Sequence, residues 1–155
     1  MTNTSFLIIA VASSLVSGQT VASRTPPVVK ACSLLSKTEV KKLIGATNAF
    51  DSVEPKDEPT TNGMGSSCKY AGAFVQVAVS TSPMNGLAGR PGSEAITDLG
   101  DQAYISNNPA GAVDVYVRVG SYNLVVERPL EPGLTLATAR SAALALAKAL
   151  AAKLQ

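Results

Sequence analysis

"AVDVYVRVGSYNLVVERP", Ala112–Pro129, decides the fold of this 155-residue chain. Apolar and polar residues alternate on both sides of Gly120-Ser121, and this alternation is the pattern of a half-buried strand. The Gly-Ser pair suits a two-residue type II′ turn, because glycine readily adopts the positive φ of the first turn position. We therefore predict an antiparallel hairpin centred on this turn.

The two-residue turn also predicts the register of the hairpin. One face then consists of the apolar pairs Val119–Tyr122, Val117–Leu124 and Val115–Val126. The other face consists of the pairs Arg118–Asn123, Tyr116–Val125 and Asp114–Glu127. Such a division is typical of a half-buried antiparallel sheet, and a slip by one residue would destroy it. The like charges of the last pair mildly oppose pairing.

Further strands are expected on the N-terminal side of this hairpin. Alternation over residues 75–79 predicts one strand, and a tight turn joins it to a short strand over residues 67–70. A third short strand is expected through residues 103–105, after a helical turn near Glu94. The remaining segments are predicted to be loops, residues 46–65 and 82–93.

Two helices flank the predicted strands. Ser36 and Glu39 form a capping box, in which each side chain satisfies a backbone donor of the first turn, and Gly45 suits the end of that helix. Residues 136–154 predict a long helix with an apolar stripe rich in alanine, which permits close packing on a sheet. These elements predict an α+β protein, with an antiparallel β-sheet and both helices packed on one face.

The N-terminal residues predict export. The first 23 residues carry no charged side chain, and an apolar run over residues 6–16 has the length of a signal-peptide core. An uncleaved anchor and a buried core segment are the alternatives. Residues 1–23 are therefore expected to be a signal peptide, residues 24–31 an extended tether that contains two prolines, and residues 32–155 a single α+β domain. We expect a periplasmic or secreted protein without a transmembrane span in its mature form.

The two cysteines, Cys32 and Cys68, are interpreted by elimination. The residues before Cys32 do not fit a lipid-attachment motif, since a lysine lies two positions before it. A zinc site needs about four donors and this chain has no histidine, while a redox pair would have the C-x-x-C spacing. A structural disulfide between Cys32 and Cys68 remains, and it fits an oxidising compartment. We predict no metal and no cofactor.

Catalytic motifs are sparse. Without histidine, a Ser-His-Asp or Cys-His system is excluded. Ser66 and Lys69 match the S-x-x-K signature, and Asp98 and Asp101 form a candidate carboxylate pair, although a turn explains the two aspartates equally well. The net charge of +2 is too small to indicate a nucleic-acid partner. The acidic residues 51–58 miss the order of a calcium loop.

Two regions carry candidate binding residues. The loop "SPMNGLAGRPGS", residues 82–93, contains Met84 and Leu87, which have no periodic place in the core, and Arg90, its only arginine. Arginine suits two-pronged recognition of a carboxylate or phosphate, and loops on a rigid scaffold often carry binding residues. An idle surface loop is the alternative. The second candidate is the polar sheet face around Tyr116 and Arg118.

Several segments, taken in order, resemble a family of small secreted bacterial proteins of unknown function, best known from actinobacterial lipoproteins. They are "ACSLLSKTEVKKLIG", "SSCKY", a valine-rich strand, "LGDQAY", "VYVRVGSYNLVV" and a final Ala/Leu helix. The resemblance covers residues 31–154 and implies an exported α+β domain with paired cysteines and a binding role. It brings no established catalytic residues, and this sequence lacks the family's lipid-attachment cysteine.

The function expected from the sequence is that of an exported, non-catalytic domain that binds a cell-envelope protein or a small ligand. One alternative is a small hydrolase-like enzyme that uses carboxylates or a Ser-Lys pair. The other is a basic module that binds anionic lipid or polymer through Lys37, Lys41, Lys42 and the last helix.

Overall fold

Seven strands form one antiparallel sheet in a computed structural model that describes residues 26–45, 52–80 and 82–155. The strands are β1 (Asp57–Pro59), β2 (Gly65–Tyr70), β3 (Ala73–Val79), β4 (Ser93–Ile96), β5 (Gln102–Asn108), β6 (Ala112–Val119) and β7 (Tyr122–Pro129). Their order across the sheet is β1-β2-β3-β7-β6-β5-β4. The predicted signal peptide, residues 1–23, and the first two residues of the predicted tether lie outside the described residues.

Three helices pack on one face of this sheet, which confirms the predicted α+β class. They are α1 (Ala31–Leu34), α2 (Lys37–Ile44) and α3 (Leu136–Ala151). The long helix α3 lies against β6 and β7, and α2 packs on α3. Small side chains on the inner face of α3, such as the fully buried Ala139, Ala143 and Ala147, allow the helix to approach the valines of the sheet closely.

The central hairpin has the predicted register. Val117 lies opposite Leu124, Tyr116 lies opposite Val125, and the flanking pairs follow in step. Gly120 has a φ of 55°. Ser121 is not among the described residues with positive φ, so the turn fits type II′ and not type I′. The apolar side of the hairpin faces the helices.

The capping box of α2 is also confirmed. The side chain of Ser36 accepts a hydrogen bond from the backbone N–H of Glu39, and the Glu39 carboxylate accepts one from the backbone N–H of Ser36 at 2.8 Å. Because this backbone hydrogen bond favours the charged form, it lowers the pKa of Glu39. Gly45 ends the helix in the left-handed conformation with a φ of 64°.

Several local predictions need correction. Glu94 lies on strand β4 instead of a helical turn, because the edge of β5 offers unpaired backbone groups and the Glu94 side chain bonds Arg140 of α3 at 2.7 Å. Helix α1 was not predicted, and β1 lies within the first predicted loop. The second predicted loop contains a 3₁₀ turn over Asn85–Leu87. Helix α3 ends at Ala151, three residues before its predicted end.

The predicted disulfide between Cys32 and Cys68 is present. It joins α1 to β2, and the Cys68 side chain is completely buried. Beside it, the backbone N–H of Ala31 donates to the Ser66 hydroxyl at 2.6 Å, and that of Cys32 donates to the Asp57 carboxylate at 2.9 Å. The disulfide and these hydrogen bonds hold the beginning of the domain against the first strands of the sheet.

Candidate functional site

The face of the sheet opposite the helices is its open face, and it carries mostly polar side chains. The pairing of the strands places these side chains in rows that run across the sheet. One row consists of Ser93, Ser106, Asp114, Glu127, Phe74 and Lys69. The next consists of Ala95, Tyr104, Tyr116, Val125, Gln76 and Ser67. The third includes Gln102, Arg118, Asn123 and Ala78.

The segment between β3 and β4, residues 82–92, lies over part of the open face, and we call it the crossing loop. β3 occupies the middle of the sheet and β4 one edge, with β7, β6 and β5 between them. At about 4.8 Å between neighbouring strands, the chain must travel roughly 19 Å across the sheet. Because the helices occupy the other face, the loop takes the open one, where it lines clefts together with sheet side chains.

Met84 anchors the crossing loop to the sheet. Its side chain is buried, with 8% of its surface exposed. Its backbone N–H donates to the Gln102 side-chain oxygen at 3.2 Å, and the Gln102 amide nitrogen donates to the Tyr104 hydroxyl at 2.9 Å. Met84 is thus buried between the crossing loop and the sheet, although it is not part of the core between the sheet and the helices. Beyond Met84, Leu87 is half-buried and Arg90 is exposed.

Two adjacent clefts lie between the crossing loop and the sheet. The larger has a volume of about 300 Å³, and its lining includes Met84, Leu87, Arg90, Tyr116, Asn123 and Val125. The smaller has a volume of about 190 Å³, and its lining includes Arg90, Ser106, Asn108, Asp114 and Tyr116. Arg90 and Tyr116 line both clefts, so they mark the boundary between an apolar compartment and a polar one.

Asp114 is the most unusual side chain in the smaller cleft, since only 6% of its surface is exposed. Its Oδ2 atom accepts hydrogen bonds from the Asn108 amide and the Tyr116 hydroxyl, each at 3.2 Å. Its Oδ1 atom is buried and has no partner among the described residues. Burial raises the pKa of Asp114, and the two hydrogen bonds oppose that rise.

The charges of Asp114 and Arg90 both act on the pKa of the Tyr116 hydroxyl, in opposite directions. Burial raises the pKa of the Tyr116 hydroxyl, and the negative charge of Asp114 raises it further. The positive charge of Arg90, which lines the same two clefts, lowers the pKa of this hydroxyl. Across the ladder, Glu127 lies directly opposite Asp114 and adds a second negative charge.

Unpaired buried polar atoms are concentrated on the open face. Among the described residues, four buried side-chain atoms lack a hydrogen-bond partner: Ser93 Oγ, Asp114 Oδ1, Asn123 Oδ1 and Arg128 Nε. The first three belong to the rows of the open face. Arg128 faces the helices, where its Nη1 atom donates to the Gly72 carbonyl at 2.6 Å and pairs with Glu131. Buried polar atoms normally find partners, so this concentration marks the region around the crossing loop.

The structure brings four of the five sequence-predicted binding residues together. Met84, Leu87 and Arg90 of the loop meet Tyr116 of the sheet in the larger cleft. The loop candidates and Tyr116 of the sheet face, which the sequence offered as separate possibilities, thus line one cleft. Arg118 does not line either cleft, and its Nε atom donates to the Gly120 carbonyl at 3.3 Å.

Asp114 and Asn123 were not among the binding residues predicted from the sequence, although both line the clefts. The hairpin register did place both on the polar face. The sequence did contain one signal for Asp114: the predicted register places it directly opposite Glu127. Like charges in such positions oppose the pairing of their strands, so their presence suggests a role other than stability. The missing information was the position of the crossing loop, which buries Asp114.

The other sequence motifs have structural roles in the described part of the chain. Ser66 and Lys69 lie three positions apart on β2 and therefore point to opposite faces of the sheet, so the S-x-x-K geometry does not form. Asp101 accepts a hydrogen bond from the Gly120 backbone N–H at 2.6 Å, and Asp98 has a left-handed turn conformation. The described residues contain no group of acidic, Cys or His side chains placed to hold a metal ion.

Two further clefts open near β1–β3, and they are larger. Their volumes are about 380 Å³ and 410 Å³, with linings that include Thr60, Asn62 and Gln76 in the first and Lys69, Phe74 and Glu127 in the second. None of the unpaired buried atoms belongs to their lining residues. By volume alone, these two clefts would be the better candidates for a ligand site. The two clefts beneath the crossing loop are the better candidates because their lining residues carry unpaired buried polar atoms.

No model of a known family, no curated protein and no solved structure matches this chain. In the described ranges, no helix has the length and apolar character needed to cross a membrane. The disulfide fits a protein of an oxidising compartment.

Proposed function

We propose that this protein is an exported, non-catalytic domain that binds a small ligand in the two clefts beneath the crossing loop. The observation that carries the proposal is the coincidence of two independent features. The loop residues that have an apolar or cationic side chain line the clefts, and so do Asp114 and Asn123, each of which has one buried acceptor atom without a partner. A ligand that enters the clefts would meet apolar surface and, after a movement of the Asp114 or Asn123 side chain, an unsatisfied acceptor.

The shape of the site supports a small ligand over a folded partner. Concave sites with apolar walls and a few placed polar groups are typical of small-molecule binding, and the volume of the larger cleft is at the lower end of that range. The wall formed by Leu87 and Val125 supplies apolar surface, while the exposed Arg90 at the boundary supplies five N–H donors. The two sides of the site come from a loop and from a rigid sheet, an arrangement that suits binding.

Export and the absence of catalysis are parts of the same proposal. The apolar run before the domain, the disulfide and the resemblance to small secreted bacterial proteins support export. The chain contains no histidine, and Ser66 and Lys69 point to opposite faces of β2, which supports a binding role over the Ser-Lys alternative.

The proposal is tested with a pair of matched variants. Leu87→Ala/Arg90→Ala removes an apolar and a cationic side chain from the clefts and leaves the buried anchor Met84 in place. Leu136→Ala/Lys148→Ala removes the same types of group from exposed positions on α3. The mature protein is screened against small polar and amphipathic metabolites by ligand-induced change in melting temperature.

We expect at least one compound class to raise the melting temperature of the wild type and of the α3 variant but not of the cleft variant. Equal responses of all three proteins would place binding elsewhere and refute the proposal. If binding instead weakens steeply with added NaCl and depends on the basic residues of α2, the basic module is the better description.

A further inference from the structure

The charges of the clefts allow the class of ligand to be narrowed, on the basis of the proposed function. We propose that the clefts bind a small zwitterion, whose ammonium group pairs with Asp114 and whose carboxylate pairs with Arg90, with its apolar part against Leu87 and Val125. An amino acid with an aliphatic side chain has this chemistry.

The carboxylate of Asp114 is the group that favours an ammonium ligand. It is more than nine-tenths buried, and one of its oxygens has no partner. No ion pair joins it to a lysine or arginine in the part of the chain that the structure describes. A buried carboxylate without a countercharge is costly, and an ammonium group supplies both the missing charge and three hydrogen-bond donors.

The residues around Asp114 favour a cation over other donors. Glu127 lies directly across the strand ladder but lines a different cleft, so Asp114 is the carboxylate that faces the ligand. Asn108 and Tyr116 already donate to one of its oxygens, and both are neutral at pH 7. A ligand that carries only an anionic group would be repelled by the Asp114 carboxylate, whereas an ammonium group would be attracted by it.

Arg90 supplies the complementary positive charge at the boundary between the two clefts. It is exposed, and its guanidinium group makes no ion pair within the described ranges. It lines both clefts, as Tyr116 does, so a ligand held by Asp114 passes beside it. Arginine binds a carboxylate with two parallel hydrogen bonds. A purely cationic ligand would leave this group unused and would be repelled by it.

Access to Asp114 sets a condition on binding. The Oδ1 atom is enclosed, so the incoming ammonium group must either displace the side chains above it or bind while the carboxyl group rotates and exchanges its two oxygens. Arg90 lines the same cleft and belongs to a loop without regular structure beyond one 3₁₀ turn. Either route therefore involves side chains of the cleft and needs no change in the pairing of the strands.

The test uses leucine and two compounds that each lack one of its charged groups. 4-Methylpentanoate lacks the ammonium group and 3-methylbutylamine lacks the carboxylate, while the apolar part is retained. A second set, 6-aminohexanoate with hexanoate and hexylamine, places the two charges farther apart. Dissociation constants are measured by calorimetry at pH 7 and low salt.

We expect one of the two zwitterions to bind at least about tenfold more tightly than both of its matched compounds, since a charge-assisted hydrogen bond contributes roughly that factor. Asp114→Asn should remove the advantage of the ammonium group and keep that of the carboxylate. Arg90→Gln should do the opposite. Glu127→Gln is the control carboxylate and should change the affinity much less, because Glu127 contributes charge but no unpaired buried atom.

The inference is overturned if neither zwitterion exceeds its matched compounds, or if Asp114→Asn binds leucine and 6-aminohexanoate as the wild type does. The proposed function survives these results if another compound raises the melting temperature of the wild type but not that of the Leu87→Ala/Arg90→Ala variant. Circular dichroism and melting of each variant show that it is folded, and Asp114→Asn in particular retains the shape of the side chain while it removes a buried charge.

Discussion

Removal of the disulfide between Cys32 and Cys68 provides the most quantitative test of the fold. The two cysteines are 36 positions apart in the chain. In the chain-entropy model, a closed loop of this length stabilises the protein by about 4 kcal/mol, because it restricts the unfolded chain. For a domain of about 125 residues, a loss of that size lowers the melting temperature by roughly 15 °C.

Two forms of the protein distinguish two contributions of the disulfide to the free energy of unfolding: the closure of the chain between the cysteines and the packing of the sulfur atoms. Reduced wild type retains both sulfur atoms, whereas Cys32→Ala/Cys68→Ala removes them. Because the Cys68 side chain is completely buried, the variant should lose about 1 kcal/mol more than the reduced protein. Urea denaturation at pH 7, with and without a reducing agent, measures both differences, and the slope of the transition should increase when the loop is opened.

The refuting result is a loss below about 1 kcal/mol for the reduced protein. It would mean that the first strands and α1 remain associated in the unfolded chain without the disulfide, so that closing the loop restricts that chain little. An undiminished melting temperature together with an unchanged denaturation slope would be the clearest form of that outcome.

Three further predictions concern other parts of the molecule. Val117→Asp buries an unpaired charge among the helices and should destabilise the fold by several kcal/mol, whereas Arg118→Asp on the open face should cost about 1 kcal/mol or less; equal losses in urea denaturation would contradict the hairpin faces. Ser36→Ala removes the side-chain acceptor of the capping box and should cost about 1 kcal/mol, which thermal unfolding can detect. Burial raises the pKa of Asp114 above its value in the unfolded chain. At a pH above the folded-state pKa, the charged carboxylate therefore lowers the free energy of unfolding. This penalty disappears as the pH falls below the usual aspartate range, where the group is protonated in both states. Asp114→Asn should therefore melt at a higher temperature than wild type at pH 7, and the difference should shrink toward pH 3; a difference that does not depend on pH would show that the carboxylate charge is not the cause.

The sequence predicted those elements that depend on neighbouring residues. The type II′ turn at Gly120 sets the register of β6 and β7, and the capping box at Ser36 sets the beginning of α2. Both are determined by interactions over a few residues. The edge strand β4 was missed because its four residues have no strong alternation and are stabilised by pairing with β5 and by the ion pair of Glu94 with α3.

The candidate site depended on information that local patterns do not contain. Met84, Leu87 and Arg90 were found because they are unusual in a Gly/Pro-rich loop, and Tyr116 because it lies on the polar face of a strand. That these residues meet follows from the pairing of β3 with β7, which sends the intervening chain across the open face. Such long-range pairing has no signature in either strand alone, and the burial of Asp114 depends on it.

The strand order also has a consequence for how the clefts come into existence during folding. β4 to β7 form a meander of consecutive strands, and β2 and β3 form a separate hairpin, so each unit can form from nearby residues. Within the sheet, the pairing of β3 with β7 joins the two units, and the chain between them then crosses Tyr116 and Asn123. We therefore expect the clefts to form only after both units have paired, and a ligand that occupied them would hold the connecting loop against the meander.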